Sequence, residues 1–188
     1  MSRISLVALI AVALLGVIAG RTVPGTSAQD EAASLEGHPL VGTWMAMTPF
    51  GASPETFHTD GSFVAGPPIV EPGENGPRFL GPGIGTWEST GPNSGHATFV
   101  QALGDETGAY TGTLTIDAHL EVSEDGQSFT DDSVETTKTI RDAGSNVVQV
   151  IQPYAAGDGA IPPVTANRMS PGNAGLPEPT GDAATPDA

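Results

Sequence analysis

"YTGTLTIDAHLEV", Tyr110 to Val122, alternates over its whole length. Tyr110, Leu114, Ile116, Ala118, Leu120 and Val122 fall on one face. Thr113, Thr115, Asp117, His119 and Glu121 fall on the other. An extended chain sends successive side chains to opposite faces, whereas a helix needs apolar residues every third or fourth position. The stretch therefore predicts a long strand with one buried face. "EDGQS" supplies an Asp125-Gly126 hairpin turn, and the chain returns as "FTDDSVETTKTI". "RDAGSN" reads as another turn and "VVQVI" as another strand. Upstream, "ETFHTDGSFVA" reads as two short strands around Asp60-Gly61, while "GIGTWEST" and "HATFVQAL" flank a turn at "GPNSG". This gives about eight to nine strands and no helical pattern.

A meander with one apolar face must close into a barrel or fold into a sandwich. Hairpin after hairpin favours an all-β, antiparallel up-and-down barrel, since a Greek key needs a long connection. The one long connection, "GPPIVEPGENGPRFLGP" from Gly66 to Pro82, is too rich in Pro and Gly for a helix. It reads as an irregular loop, either a lid or a surface excursion.

The 188 residues contain no cysteine, so disulfides and thiolate metal sites are excluded. Met1 to Arg3 carries one positive charge, Ile4 to Ala19 is apolar, and "TSAQD" follows with small residues at Thr26 and Ala28. That order predicts a secretory signal over 1–28, cleaved after Ala28, with a retained single-span anchor as the alternative. The expected location is secreted or extracytoplasmic, with no membrane association after cleavage. Gln29 to Gly37 reads as a polar linker, 38–169 as the barrel domain, and 170–188 as a disordered tail rich in Pro, Ala and Gly. The net charge is −16, and past Ala28 the basic residues are Arg78, Lys138, Arg141 and Arg168 against 22 acids. No basic footprint for nucleic acid exists.

Within this meander, "HPLVGTW" stands at the start of the first strand. Gly42 and Trp44 thereby make a Gly-x-Trp motif, and the chain resembles the calycins, the lipocalin-like barrels. The resemblance implies that Gly42 allows a close backbone approach and that Trp44 closes the barrel base. It also implies that Arg168, at the end of the last apolar run, covers the indole. A guanidinium over an indole is favourable by roughly 0.5–2 kcal/mol. The second tryptophan, Trp87, sits in an echo of the same context, "IGTW".

His38, His58, His96 and His119 lack the i, i+2 or i, i+4 spacing of a metal site. His119 with Asp117 and Glu121 offers acid–base potential if that face lines the lumen, and an ordinary solvated strand if it does not. Asp131 and Asp132 are adjacent, so only one of them can serve any single site. No nucleophile motif or phosphate-binding loop occurs, and neither a cofactor nor a metal is implied. Trp87, Phe99, Tyr110 and Leu114 either line a pocket for a small apolar ligand or simply fill the core. The expected function is a non-catalytic, secreted lipocalin-like barrel binding such a ligand. The alternatives are an enzyme resembling the allene-oxide-cyclase-like barrels, with His119 and Glu121 facing inward, or an acidic envelope-associated interaction domain.

Overall fold

The computed structural model describes residues 35–73, 76–154 and 161–177. The expected signal segment 1–28 lies outside the described residues, as do most of the linker and the far end of the tail.

Twelve strands form among the described residues: β1 Gly42–Thr48, β2 Gly51–Phe57, β3 Ser62–Ala65, β4 Val70–Gly73, β5 Gly76–Leu80, β6 Gly83–Ser89, β7 Ser94–Gly104, β8 Tyr110–Val122, β9 Ser128–Asp131, β10 Thr137–Asp142, β11 Val147–Ile151 and β12 Val164–Arg168. Eight of them close an antiparallel barrel in the order β1-β2-β3-β6-β7-β8-β9-β12, with β12 returning to β1. The chain meanders up and down as the hairpin signals require. Two hairpins are inserted without disturbing that order, β4–β5 between β3 and β6, and β10–β11 between β9 and β12.

The long strand β8 organises both parts. Its whole length pairs with β7 on one edge. Its other edge pairs first with β9, through Glu121 and Val122, and then with β10, from Asp117 back to Gly112. The return strand "FTDDSVETTKTI" is thus split at Asp132–Thr136. Its first half closes the barrel, and its second half extends the sheet beyond the rim. There Leu103, Leu114 and Ile140 form a small second core with Leu80, Ile116 and Ile151 packed on it.

The alternation of β8 is realised from Leu114 to Val122, where Leu114, Ala118, Leu120 and Val122 are buried and Ile116 half-buried. Tyr110 departs from it and is 56% exposed. The register explains this. Leu103 pairs with Gly112, but Gly104 pairs with Tyr110, so Thr111 is an extra residue in β8. A bulge of one residue exchanges the two faces beyond it, and Tyr110 joins Gly104 on the outside.

The stretch expected to be an irregular loop, Gly66 to Pro82, contains the hairpin β4–β5, which pairs with β7 through Phe79 and Leu80. Its prolines do not prevent pairing, because Pro72 and Pro77 stand opposite each other and β4 is an edge strand. An ion pair at 2.7 Å joins Glu71 and Arg78 on the neighbouring rung. The first part of the expected disordered tail is also ordered. Ser170 and Asn173 exchange backbone hydrogen bonds, and Asn167 donates to the carbonyl of Gly175, which packs close to Met45.

Four turns use one device. The carboxylates of Asp60, Asp105, Asp125 and Asp142 accept backbone N–H groups two residues on, from Ser62, Thr107, Gln127 and Gly144. These are Asx turns, so part of the acidity of the chain serves hairpin closure.

The closed end of the barrel is built from "HPLVGTW". Trp44 is fully buried and donates its indole N–H to the Leu40 carbonyl at 2.8 Å. Arg168, opposite Trp44 in the β1–β12 register, lies over the indole with its guanidinium carbon 4.1 Å from the ring centre. It also donates to the carbonyls of Gly126, Val41 and Pro39. Gly42 has φ +134°, and a Cβ there would stand 2.7 Å from an Arg168 nitrogen. Gly42→Ala is therefore expected to cost about 1–3 kcal/mol through backbone strain and displacement of the guanidinium. Urea unfolding checks this, and an unchanged midpoint would show that the close approach is not needed.

Candidate functional site

A cavity of ≈ 80 Å³ lies inside the barrel. The period of two decides what it meets. Along β2 the inward residues are Ser53, Glu55 and Phe57; along β7, Ala97, Phe99 and Gln101. Along β8 they are Leu114, Ile116, Ala118 and Leu120; along β9, Phe129 and Asp131. The inserted hairpins and nearby loops add Pro67, Pro68, Glu71, Leu80, Lys138 and Tyr154.

The apolar part is an aromatic cluster. Phe57 packs on Phe63 with ring centres 4.6 Å apart, and Phe63 packs on Phe99 at 4.9 Å. Phe129 meets Phe57 edge-on at 6.0 Å, in the geometry that aromatic rings favour.

The polar part is acidic. Asp131 is buried, 5% exposed, and accepts a 2.6 Å hydrogen bond from the buried Thr136 hydroxyl. Its neighbour Asp132 points outward and is exposed. Burial raises the Asp131 pKa to about 6, against the lowering effect of the Thr136 hydrogen bond. Burial and then the nearby Asp131 charge raise that of Glu55 to about 8, despite a hydrogen bond to Ser53. Both carboxyl groups are pushed up, Glu55 further than Asp131, so around neutral pH the first is the better proton donor and the second the better acceptor. Burial also depresses the Lys138 ammonium, opposed by the charges of Glu71 and Asp131. Gln101 is 2% exposed, and its Oε1 has no hydrogen-bond partner among the described residues.

Of the residues expected at a pocket, Phe99 and Leu114 line the cavity. Tyr110 is on the outer surface, for the bulge reason given above. Trp87 is buried but outside the lining. It packs edge-on to Phe57 at 5.7 Å and donates to the His58 carbonyl at 2.8 Å. Both tryptophans thus use the indole N–H to hold a backbone carbonyl.

His119 and Glu121 lie on the outer face of β8. His119 stacks on His96 of β7 with ring centres 4.7 Å apart, and His96 bonds to Asp117 at 2.6 Å and Glu88 at 3.1 Å. Burial opposes protonation of His96, but the two carboxylates outweigh it and raise its pKa. Among the described residues no group of three or more His, Asp or Glu is placed to hold a metal ion.

Sequence reading missed Glu55, Gln101, Thr136 and Lys138, and left Asp131 and Asp132 as alternatives without placing either in the lumen. A signal existed for three of them. Glu55, Gln101 and Asp131 each stand two residues from a phenylalanine that faces inward, Phe57, Phe99 and Phe129, so strand alternation places them in the lumen.

No protein-family model, curated protein or solved structure matches this chain. The chemistry of the cavity therefore has to speak for the function.

Proposed function

We propose that this protein is an extracytoplasmic carrier of the calycin type, which holds a small, largely apolar molecule inside its barrel. One observation carries the reading: the lumen is not filled by side chains but leaves a cavity walled by Phe57, Phe63, Phe99 and Phe129. A barrel of eight strands is wide enough either to be packed solid or to hold one small ligand. The Gly42 and Trp44 strand with Arg168 over the indole supports the calycin assignment.

Toluene is the test ligand. Calorimetry should show binding that is lost in Ala118→Phe, which places a ring where Ala118 now lines the cavity. Native mass spectrometry of protein from its own source should show an added mass. No toluene binding together with a bare mass would sink the carrier reading.

One observation favours a catalytic alternative, the protonated Glu55 beside an ionised Asp131. Such a pair can act as general acid and general base. In that reading the acid–base work falls to these two residues, because His119 and Glu121 face outward.

A further inference from the structure

Resting on the reading of the barrel as a small-molecule site, we infer that its ligand is an amphiphilic amine. Its apolar body packs on Phe57, Phe63 and Phe99, and its ammonium group sits at Glu55. The charges that meet in the cavity carry this inference. Among the described residues three carboxyl groups line it, Glu55, Glu71 and Asp131, with one ammonium group, that of Lys138. Glu71 already has a cation, Arg78 at 2.7 Å. Asp131 has the Thr136 hydroxyl at 2.6 Å and the attraction of Lys138. Among the described residues Glu55 has only Ser53 as a hydrogen-bonding side chain, and the neighbouring Asp131 charge acts against its ionisation. Among the described residues Glu55 is thus left without a cation, so a ligand that brings one completes the set.

Gln101 points the same way. Its side-chain oxygen is buried with no donor among the described residues, and Gln101 lines the same cavity. An ammonium group has three N–H donors and no acceptor, which suits a wall of Glu55, Asp131 and Gln101 acceptors. A carboxylate ligand would meet three carboxyl groups and one ammonium. A neutral alcohol would leave Glu55 as it is. The Tyr154 hydroxyl, whose pKa burial and then the Asp131 charge raise, stays neutral and adds no charge.

The binding step balances as a proton release. The alkylammonium ion enters, the Glu55 carboxylic acid gives its proton to solvent, and the carboxylate and ammonium remain as a pair inside the cavity.

The test uses three ligands with the same chain, hexylamine, 1-hexanol and hexanoate, titrated calorimetrically at pH 7 in two buffers of different ionisation enthalpy. Hexylamine is expected to bind about ten-fold or more tighter than hexanol, with hexanoate weakest, and to release about one proton. Glu55→Gln, which keeps the size of the protonated acid, should bring hexylamine to the level of hexanol and abolish the release. Circular dichroism shows whether the variant is folded, and hexanol titrated into the same variant gives the level for comparison. Equal binding of amine and alcohol, or tightest binding of hexanoate, would overturn the inference while leaving a carrier. A preference for the amine that survives Glu55→Gln would also overturn it, since attraction to the acidic surface would behave that way. If none of the three binds while toluene does, the inference falls and the carrier reading stands.

Discussion

Trp44→Ala is expected to lower the stability of the barrel by about 3–5 kcal/mol, measured as the shift in urea unfolding followed by circular dichroism. The indole is fully buried. It packs edge-on against Phe129 with ring centres 5.2 Å apart, lies under Arg168 and donates to the Leu40 carbonyl. Truncation removes all three contacts and leaves a hole where strands β1 and β12 close the barrel. The guanidinium of Arg168 would keep its carbonyl partners but lose the ring beneath it. A domain of this size has roughly 5–15 kcal/mol in hand, so the variant is expected to be near its folding limit. A loss under about 1 kcal/mol would mean that Trp44 does not seal the barrel end. Trp87 remains as the sole tryptophan in this variant, and its fluorescence reports separately on the packing around Phe57.

The second large effect is a pH dependence opposite to the usual acid denaturation. Glu55 titrates near 8 in the fold against 4.5 for an ordinary glutamate, and Asp131 near 6 against 3.8. As pH rises past 4, these carboxyl groups ionise in the unfolded chain but keep their protons in the barrel. The folded state then holds more protons, so stability falls with pH until the folded groups ionise as well. The loss runs from about pH 4 to about pH 8 and is flat above. Glu55 is half-buried, so solvent screening leaves roughly 2–3 kcal/mol for that residue.

Glu55→Gln isolates the effect. The variant should match the parent near pH 4 and exceed it by roughly 2–3 kcal/mol at pH 8. The turn aspartates act in the other direction. Hydrogen bonds hold Asp60, Asp105, Asp125 and Asp142 below their ordinary pKa, so their contribution is lost as pH falls. They are common to both proteins and cancel in the comparison. Parallel stability curves for the two proteins across this range would rule out a Glu55 that keeps its proton in the fold.

Much of the barrel was legible because its signals are local. The strict alternation of "YTGTLTIDAHLEV" and the Asp-Gly turns at Asp60-Gly61 and Asp125-Gly126 need nothing beyond neighbouring residues. Repeated hairpins then leave few ways to bury one face. The polar residues of the lumen were legible only in part. Glu55, Gln101 and Asp131 follow from counting by twos from a buried phenylalanine, but a charged residue at such a position is more often outside, and composition alone argues for the outside.

The sequence by itself determined an all-β chain of antiparallel hairpins with an apolar inner face, since period and turn chemistry are short-range properties. Only the tertiary structure decided which residues share the cavity. One bulged residue at Thr111 turned Tyr110 outward, a shift of register that no local pattern records. The split of the return strand placed Asp131 inside and Lys138 beside it, because β9 closes the barrel while β10 leaves it. The raised pKa of Glu55 has the same long-range origin. It depends on burial and on the charge of Asp131, 76 residues away in the chain, which meet Glu55 only when the barrel closes.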